Sequence, residues 1–191
     1  MWSSLKLKFL VVRVEPIMDK AGPAGWTQDL QQVLNMRRLQ ALEQLTLDFS
    51  LTGAPKYLPV PGTLSWQDCM DFLQIFIGNS PTIRKLSLES FHVALSTTPQ
   101  QLDELVTKLV KFEEVNFGMR SHYSFLDDRG LAGIANMILR RIAAVGSSGK
   151  DSKLKVFSMP GLESCLSVNA LAEARKILTV NILKRQRRNQ K

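Results

Sequence analysis

One spacing, L-x-x-L-x-L, recurs along the whole chain and constrains its fold more than any other feature. Leu42, Leu45 and Leu47 carry the clearest copy. Ile83, Leu86 and Leu88 repeat it, as do Phe112, Val115 and Phe117, and then Leu154, Phe157 and Met159. Weaker copies stand at Trp2, Leu5 and Leu7 and at Ile177, Val180 and Ile182. The middle residues Leu5, Leu45, Leu86, Val115, Phe157 and Val180 are separated by 40, 41, 29, 42 and 23 positions. Self-similarity at such periods marks a supersecondary unit used repeatedly. Parallel strands need a crossover of about a dozen residues or more, and every interval supplies one.

Each copy reads as a short strand with alternating side chains, so Leu45 and Leu47 point inward while Gln44, Thr46 and Asp48 point outward. Between the strands lie helical patterns. Thr27 caps a helix over residues 28–39, with Leu30, Val33 and Leu34 on one face. Ser65, followed three residues later by Asp68, is close to a capping box for a helix over 66–77 that buries Cys69, Phe72, Leu73 and Phe76. Thr98 and Pro99 open a third helix, with proline at its first position and Leu102, Leu105, Val106 and Leu109 as its apolar stripe. Asp127 or Asp128 starts a fourth, which runs through Ala144 on Leu131, Ile134, Ile138, Leu139 and Ile142. A short helix over 169–176 is the last. Breakers mark loops at 15–25 and 52–62, and residues 145–150 read as a C-cap and polar turn.

Two architectures fit this order. A doubly wound sheet buries both faces of its strands, which then read as near-continuous apolar runs. Only the first copy, with Phe9, Leu10, Val11 and Val12, has such a run. The others alternate with Gln, Thr, Asp, Lys, Ser, Glu and Asn, so one strand face is wet. That favours an α/β solenoid with a parallel concave sheet and outer helices, spanning residues 1–183 as one domain of about six strand–helix units. The first copy begins almost at Met1 without a polar cap, so this end is expected to pack on something else or to continue a longer array.

The net charge of +8 resembles a nucleic-acid signal until it is located. Lys184, Arg185, Arg187, Arg188 and Lys191 carry five of those charges, which leaves +3 for the rest. Residues 184–191 are thus a basic, disordered tail. Its possible roles are localisation signal, nucleic-acid arm or solvated terminus, and no aromatic residue is interleaved with it to stack on bases. No apolar run approaches the roughly 18 residues of a membrane span. Lysines lie inside the first apolar stretch rather than ahead of it, unlike a signal peptide. Cys69 and Cys165 are 96 residues apart and suggest neither a disulfide framework nor a zinc pair. An intracellular, reduced protein is expected, cytoplasmic or nuclear.

Chemistry-bearing constellations point nowhere. His92 and His122 fall in loop positions, with no cysteine at ligand spacing, so no metal site is expected. Gly146, Ser147, Ser148, Gly149, Lys150 and Asp151 only superficially resemble a phosphate loop, which needs four residues between its glycines and Ser or Thr after Lys. Glu113 and Glu114 are strand neighbours aimed at opposite faces, and Asp127 and Asp128 suit a helix N-terminus. Cys69 is a small hydrophobe on an apolar face. No catalytic residue, cofactor or small-molecule substrate is expected.

The L-x-x-L-x-L copies, each followed by a helix, resemble the leucine-rich repeat family, particularly its ribonuclease-inhibitor-like type, over residues 2–183. The family pattern continues to an Asn or Cys three residues past the last Leu. Here those positions hold Leu10, Ser50, Phe91, Arg120, Leu162 and Lys184, so the turn out of each strand must be satisfied by other groups. The resemblance implies a non-enzymatic module that binds another protein on the outward strand face. The candidate contact residues are Lys6, Lys8, Thr46, Asp48, Lys85, Ser87, Glu89, Glu114 and Asn116, with Ser4, Gln44, Gly118, Ser158 and Asn181 alongside. The alternative is a nucleic-acid-associated protein acting through its basic tail.

Overall fold

The computed structural model describes residues 7–13, 41–49, 66–93, 97–121, 128–148, 152–160 and 166–181. These residues hold strands β1 (Phe9–Arg13), β2 (Gln44–Asp48), β3 (Lys85–Val93), β4 (Glu114–Ser121), β5 (Val156–Ser158) and β6 (Thr179–Asn181). They also hold helices α1 (Trp66–Asn79), α2 (Pro99–Leu109), α3 (Asp128–Ser147) and α4 (Val168–Arg175). The chain is an α/β protein of parallel strands and helices, divided into two compact units, Met1–His92 and Val93–Lys191.

In the first unit β1, β2 and β3 pair in parallel, in chain order. Their register stacks Leu10, Leu45 and Leu86 in one row and Val12, Leu47 and Leu88 in the next. Leu45, Leu47, Leu86 and Leu88 are fully buried, as are Cys69, Met70, Leu73 and Phe76 of α1. The ladder begins ahead of the strands. The Lys8 carbonyl accepts from the backbone of Glu43 and Gln44, and the Glu43 carbonyl from Arg84 and Lys85. Thr82 Oγ1 donates to the Leu42 carbonyl at 2.8 Å.

At the far end, Phe49 N–H donates to the Glu89 carbonyl at 2.9 Å. Here Phe91 meets Phe49 edge-on, with centroids 5.7 Å apart, and Trp66 edge-on at 5.3 Å. Phe91 occupies a position where the resembled family carries Asn or Cys. Backbone bonding and three interlocked rings close this end of the unit.

The first strand lies elsewhere than expected. The strand beside β2 is Phe9–Arg13, with Leu10 next to Leu45, whereas residues 2–6 of the expected copy lie outside the described residues. The run that suggested burial on both faces is the strand itself, and it alternates between exposed and half-buried positions. Leu7, Leu10 and Val12 satisfy the L-x-x-L-x-L spacing as well as Trp2, Leu5 and Leu7 do. The β-branched pair Val11 and Val12 adds strand preference that residues 2–7 lack. His92 belongs to β3, not to a loop. The helix expected over 28–39, its cap Thr27, and Ser65 lie outside the described residues.

In the second unit β4, β5 and β6 pair in parallel, stacking Val115, Phe157 and Val180. Phe117 stacks on Phe157 with centroids 6.3 Å apart. Helix α2 starts where Thr98 and Pro99 indicate, and its capping box is complete. Thr98 Oγ1 accepts from Gln101 N–H at 3.2 Å, and Gln101 Oε1 from Thr98 N–H at 2.8 Å. Leu102, Leu105, Val106 and Leu109 are buried as the periodicity requires. Arg141 of α3 reaches Asp103 of α2 at 2.6 Å. Ser167 caps α4 while its own N–H donates to Asn136 Oδ1 of α3 at 2.9 Å.

Helix α3 outruns its expected end at Ala144, because Val145, Gly146 and Ser147 remain helical. Gly146 is therefore a packing glycine rather than a C-cap. A Cβ there would lie 2.5 Å from Ile177 Cγ2, whereas one on Gly133 of the same helix would meet nothing within 4 Å. Gly133→Ala should stabilise the protein by about 0.5–1 kcal/mol, the intrinsic cost of a helical glycine. Gly146→Ala should lose about 1 kcal/mol net, because the Ile177 side chain must leave its rotamer or shift its backbone to make room. Thermal denaturation of the two variants should give shifts of opposite sign.

Candidate interaction face

The residues that alternate with the buried rows form the opposite strand face of the first unit. Register places Phe9, Gln44 and Lys85 in one row, Val11, Thr46 and Ser87 in the next, and Arg13, Asp48 and Glu89 in the third. Phe9 and Val11 are 62% and 69% exposed, unusual for large apolar side chains on a strand. Thr46 and Ser87 are half-buried, while Lys85 and Glu89 are exposed. The face thus joins two apolar groups to two hydroxyls and a charged row.

That charged row corrects one expected contact residue. Asp48 is only 8% exposed. Parallel register holds it between Arg13 and Glu89, and Arg13 Nε lies 3.3 Å from Asp48 Oδ2. The guanidinium covers the carboxylate while remaining 58% exposed itself. Asp48 is accordingly a group that positions Arg13, and Arg13 and Glu89 are the exposed charges of the row. Lys8, another expected contact residue, is exposed. It precedes β1 and pairs with Glu43 at 3.3 Å, with both side chains more than half exposed. Such surface pairs contribute about 0–1 kcal/mol.

The remaining candidates belong to the second unit or lie outside the described residues. Glu114 opens β4 and is half-buried; Asn116, also half-buried, stands in register with Ser158 and Asn181. Ser158, expected on the outward face, is only 8% exposed. Glu113, just before β4, pairs with Lys155 at 2.9 Å. Lys6 and the tail residues Lys184, Arg185, Arg187, Arg188 and Lys191 are not among the described residues.

Phe9, Val11 and Arg13 were missed by sequence reasoning because the first copy was set five residues too early. The signal was present in the alternative spacing of Leu7, Leu10 and Val12. Among the described residues, no three His, Cys, Asp or Glu side chains are grouped to hold a metal ion. No described helix is long and apolar enough to cross a membrane. No protein-family model matches the chain, and no curated protein or solved structure shows a significant match to it.

Proposed function

We propose that this chain is a non-enzymatic protein-interaction module, a leucine-rich-repeat-like solenoid that receives its partner on the outward face of β1, β2 and β3. The observation that carries the reading is the exposed pair Phe9 and Val11, in register with Thr46 and Ser87 and bordered by Arg13 and Glu89. Apolar anchors beside a polar rim are the composition of protein-binding patches, whose energy concentrates in a few large side chains. In-register parallel strands with one buried and one open face are what the resembled family uses to present such a patch. The basic tail is read as an accessory to this role, not its seat.

The test is quantitative cross-linking in cells with the full chain, the Phe9→Ser/Val11→Ser variant and a Glu89→Lys variant. Both sets of substitutions lie at exposed positions, so each should change stability by no more than about 0.5 kcal/mol. Partners captured by the natural chain should be lost with the apolar pair and reduced by the charge reversal. An identical set of captured proteins across all three chains would remove this face from consideration.

A further inference from the structure

Three lysines hold the equivalent position ahead of the three strands of the second unit. Counting back three residues from the first paired positions of β4, β5 and β6 (Glu114, Val156 and Thr179) reaches Lys111, Lys153 and Lys176. Backbone bonds tie the first two lead-in segments together and fix the start of β6 beside that of β5. Lys153 N–H donates to the Val110 carbonyl at 2.8 Å, and Thr179 N–H to the Lys155 carbonyl at 2.9 Å. All three side chains are exposed, and so is Arg175, which adjoins Lys176.

Three other described cations of the same unit are neutralised. Lys155 meets Glu113 at 2.9 Å, Lys108 meets Glu104 at 3.6 Å, and Arg141 meets Asp103 at 2.6 Å. No acidic side chain among the described residues forms an ion pair with Lys111, Lys153, Lys176 or Arg175. Glu173, exposed on the preceding turn, leaves the rim with a clear positive excess.

The strands that these lead-ins enter lie about 4.8 Å apart, well inside the roughly 8 Å screening length of physiological salt. Like charges at such spacing oppose folding, so the rim is a cost to the isolated chain. The ends of α2 and α4 reduce that cost at Lys111 and Lys176, because cations favour helix C-termini. Lys153 precedes β5 and has no such helix end among the described residues. An anionic partner would offset the repulsion across all three rungs.

We infer that this rim docks an acidic segment of a partner protein, one in which Asp or Glu side chains flank an apolar residue. Two observations select a peptide over a nucleic acid. Ile177, 37% exposed, supplies an apolar contact next to Lys176. Phe112, Phe117 and Phe157, the aromatic side chains of this unit whose burial is described, are at most 3% exposed, so they offer no platform for stacked bases. The rim belongs to the second unit and stands independently of the β1 face.

The test is fluorescence anisotropy at low ionic strength with the full chain. Its probes are a labelled Asp/Glu-rich peptide with one central Leu and a labelled DNA single strand of equal charge. The Lys111→Gln/Lys153→Gln/Lys176→Gln variant should bind the peptide about tenfold more weakly, as expected for losing three exposed charge pairs. Its thermal midpoint should stay the same or rise slightly, because the repulsion is relieved. The basic tail is present in both chains and cancels in the comparison. Lys155→Gln, which removes a lysine already paired with Glu113, should leave peptide affinity as it was. Equal peptide binding by the triple variant, or an equal loss on Lys155→Gln, would overturn the proposal. Tighter binding of DNA than of peptide, lost with the same three lysines, would transfer the rim to nucleic acid and overturn it as well.

Discussion

Phe91→Asn should unfold the first unit under conditions where the natural chain is folded. Phe91 is fully buried, with Phe49 and Trp66 both edge-on to its ring. Removing a buried phenylalanine side chain costs about 3–5 kcal/mol. An amide placed there without a partner adds about 1–3 kcal/mol. Together these approach the whole stability of a typical domain, about 5–15 kcal/mol. Phe91→Leu, which keeps most of the volume, should be far milder. Urea unfolding followed by tryptophan fluorescence suits the comparison, since Trp66 touches the substituted ring. The outcome also bears on the family resemblance, because Asn is the residue that family carries here. If Phe91→Asn proves no worse than Phe91→Leu, the turn is built to accept an amide and the aromatic cluster is not its support.

The second large effect is expected at Phe157. This side chain is fully buried, occupies the middle of the Val115, Phe157, Val180 row and stacks on Phe117. Strand β5 has only three residues, so one side chain supplies most of what it buries. Phe157→Ala should cost about 3–5 kcal/mol. For a unit of this size that corresponds to a fall in melting temperature of about 15 °C or more. Calorimetry or far-ultraviolet circular dichroism would show it. A loss below about 1 kcal/mol would mean that the surroundings collapse fully onto the gap and that β5 contributes little to the core.

The repeated spacing made most of the framework legible. Leu45 beside Leu86, and Val115 beside Phe157 and Val180, are the pairings that the recurring middle residues imply. The start of helix α2 was readable to the residue because Thr98 and Pro99 make it a local matter. The first strand was not readable in the same way. Leu7 belongs to two overlapping copies of the motif, and only pairing with β2 chooses between them. Alternation correctly identified Thr46, Ser87 and Glu89 as lying off the buried rows, but it cannot tell which outward residue a neighbour will cover. Asp48 is covered because Arg13 stands beside it in register, 35 positions earlier in the chain. The lysine rim escaped notice for a related reason: its members are scattered in sequence and gathered only by the lead-ins to β4, β5 and β6.

Pairing in chain order also bears on how the polypeptide reaches this fold. Within each unit a strand joins the one made just before it, so the loops to be closed correspond to register offsets of 35, 41, 42 and 23 residues. Closure entropy grows only with the logarithm of loop length, so the longest and shortest of these differ by about 0.5 kcal/mol. Uneven spacing therefore costs little, and insertions between strands can accumulate without threatening the assembly. Each strand can be captured as it is synthesised, on a template already in place, and no step waits for a distant end of the chain.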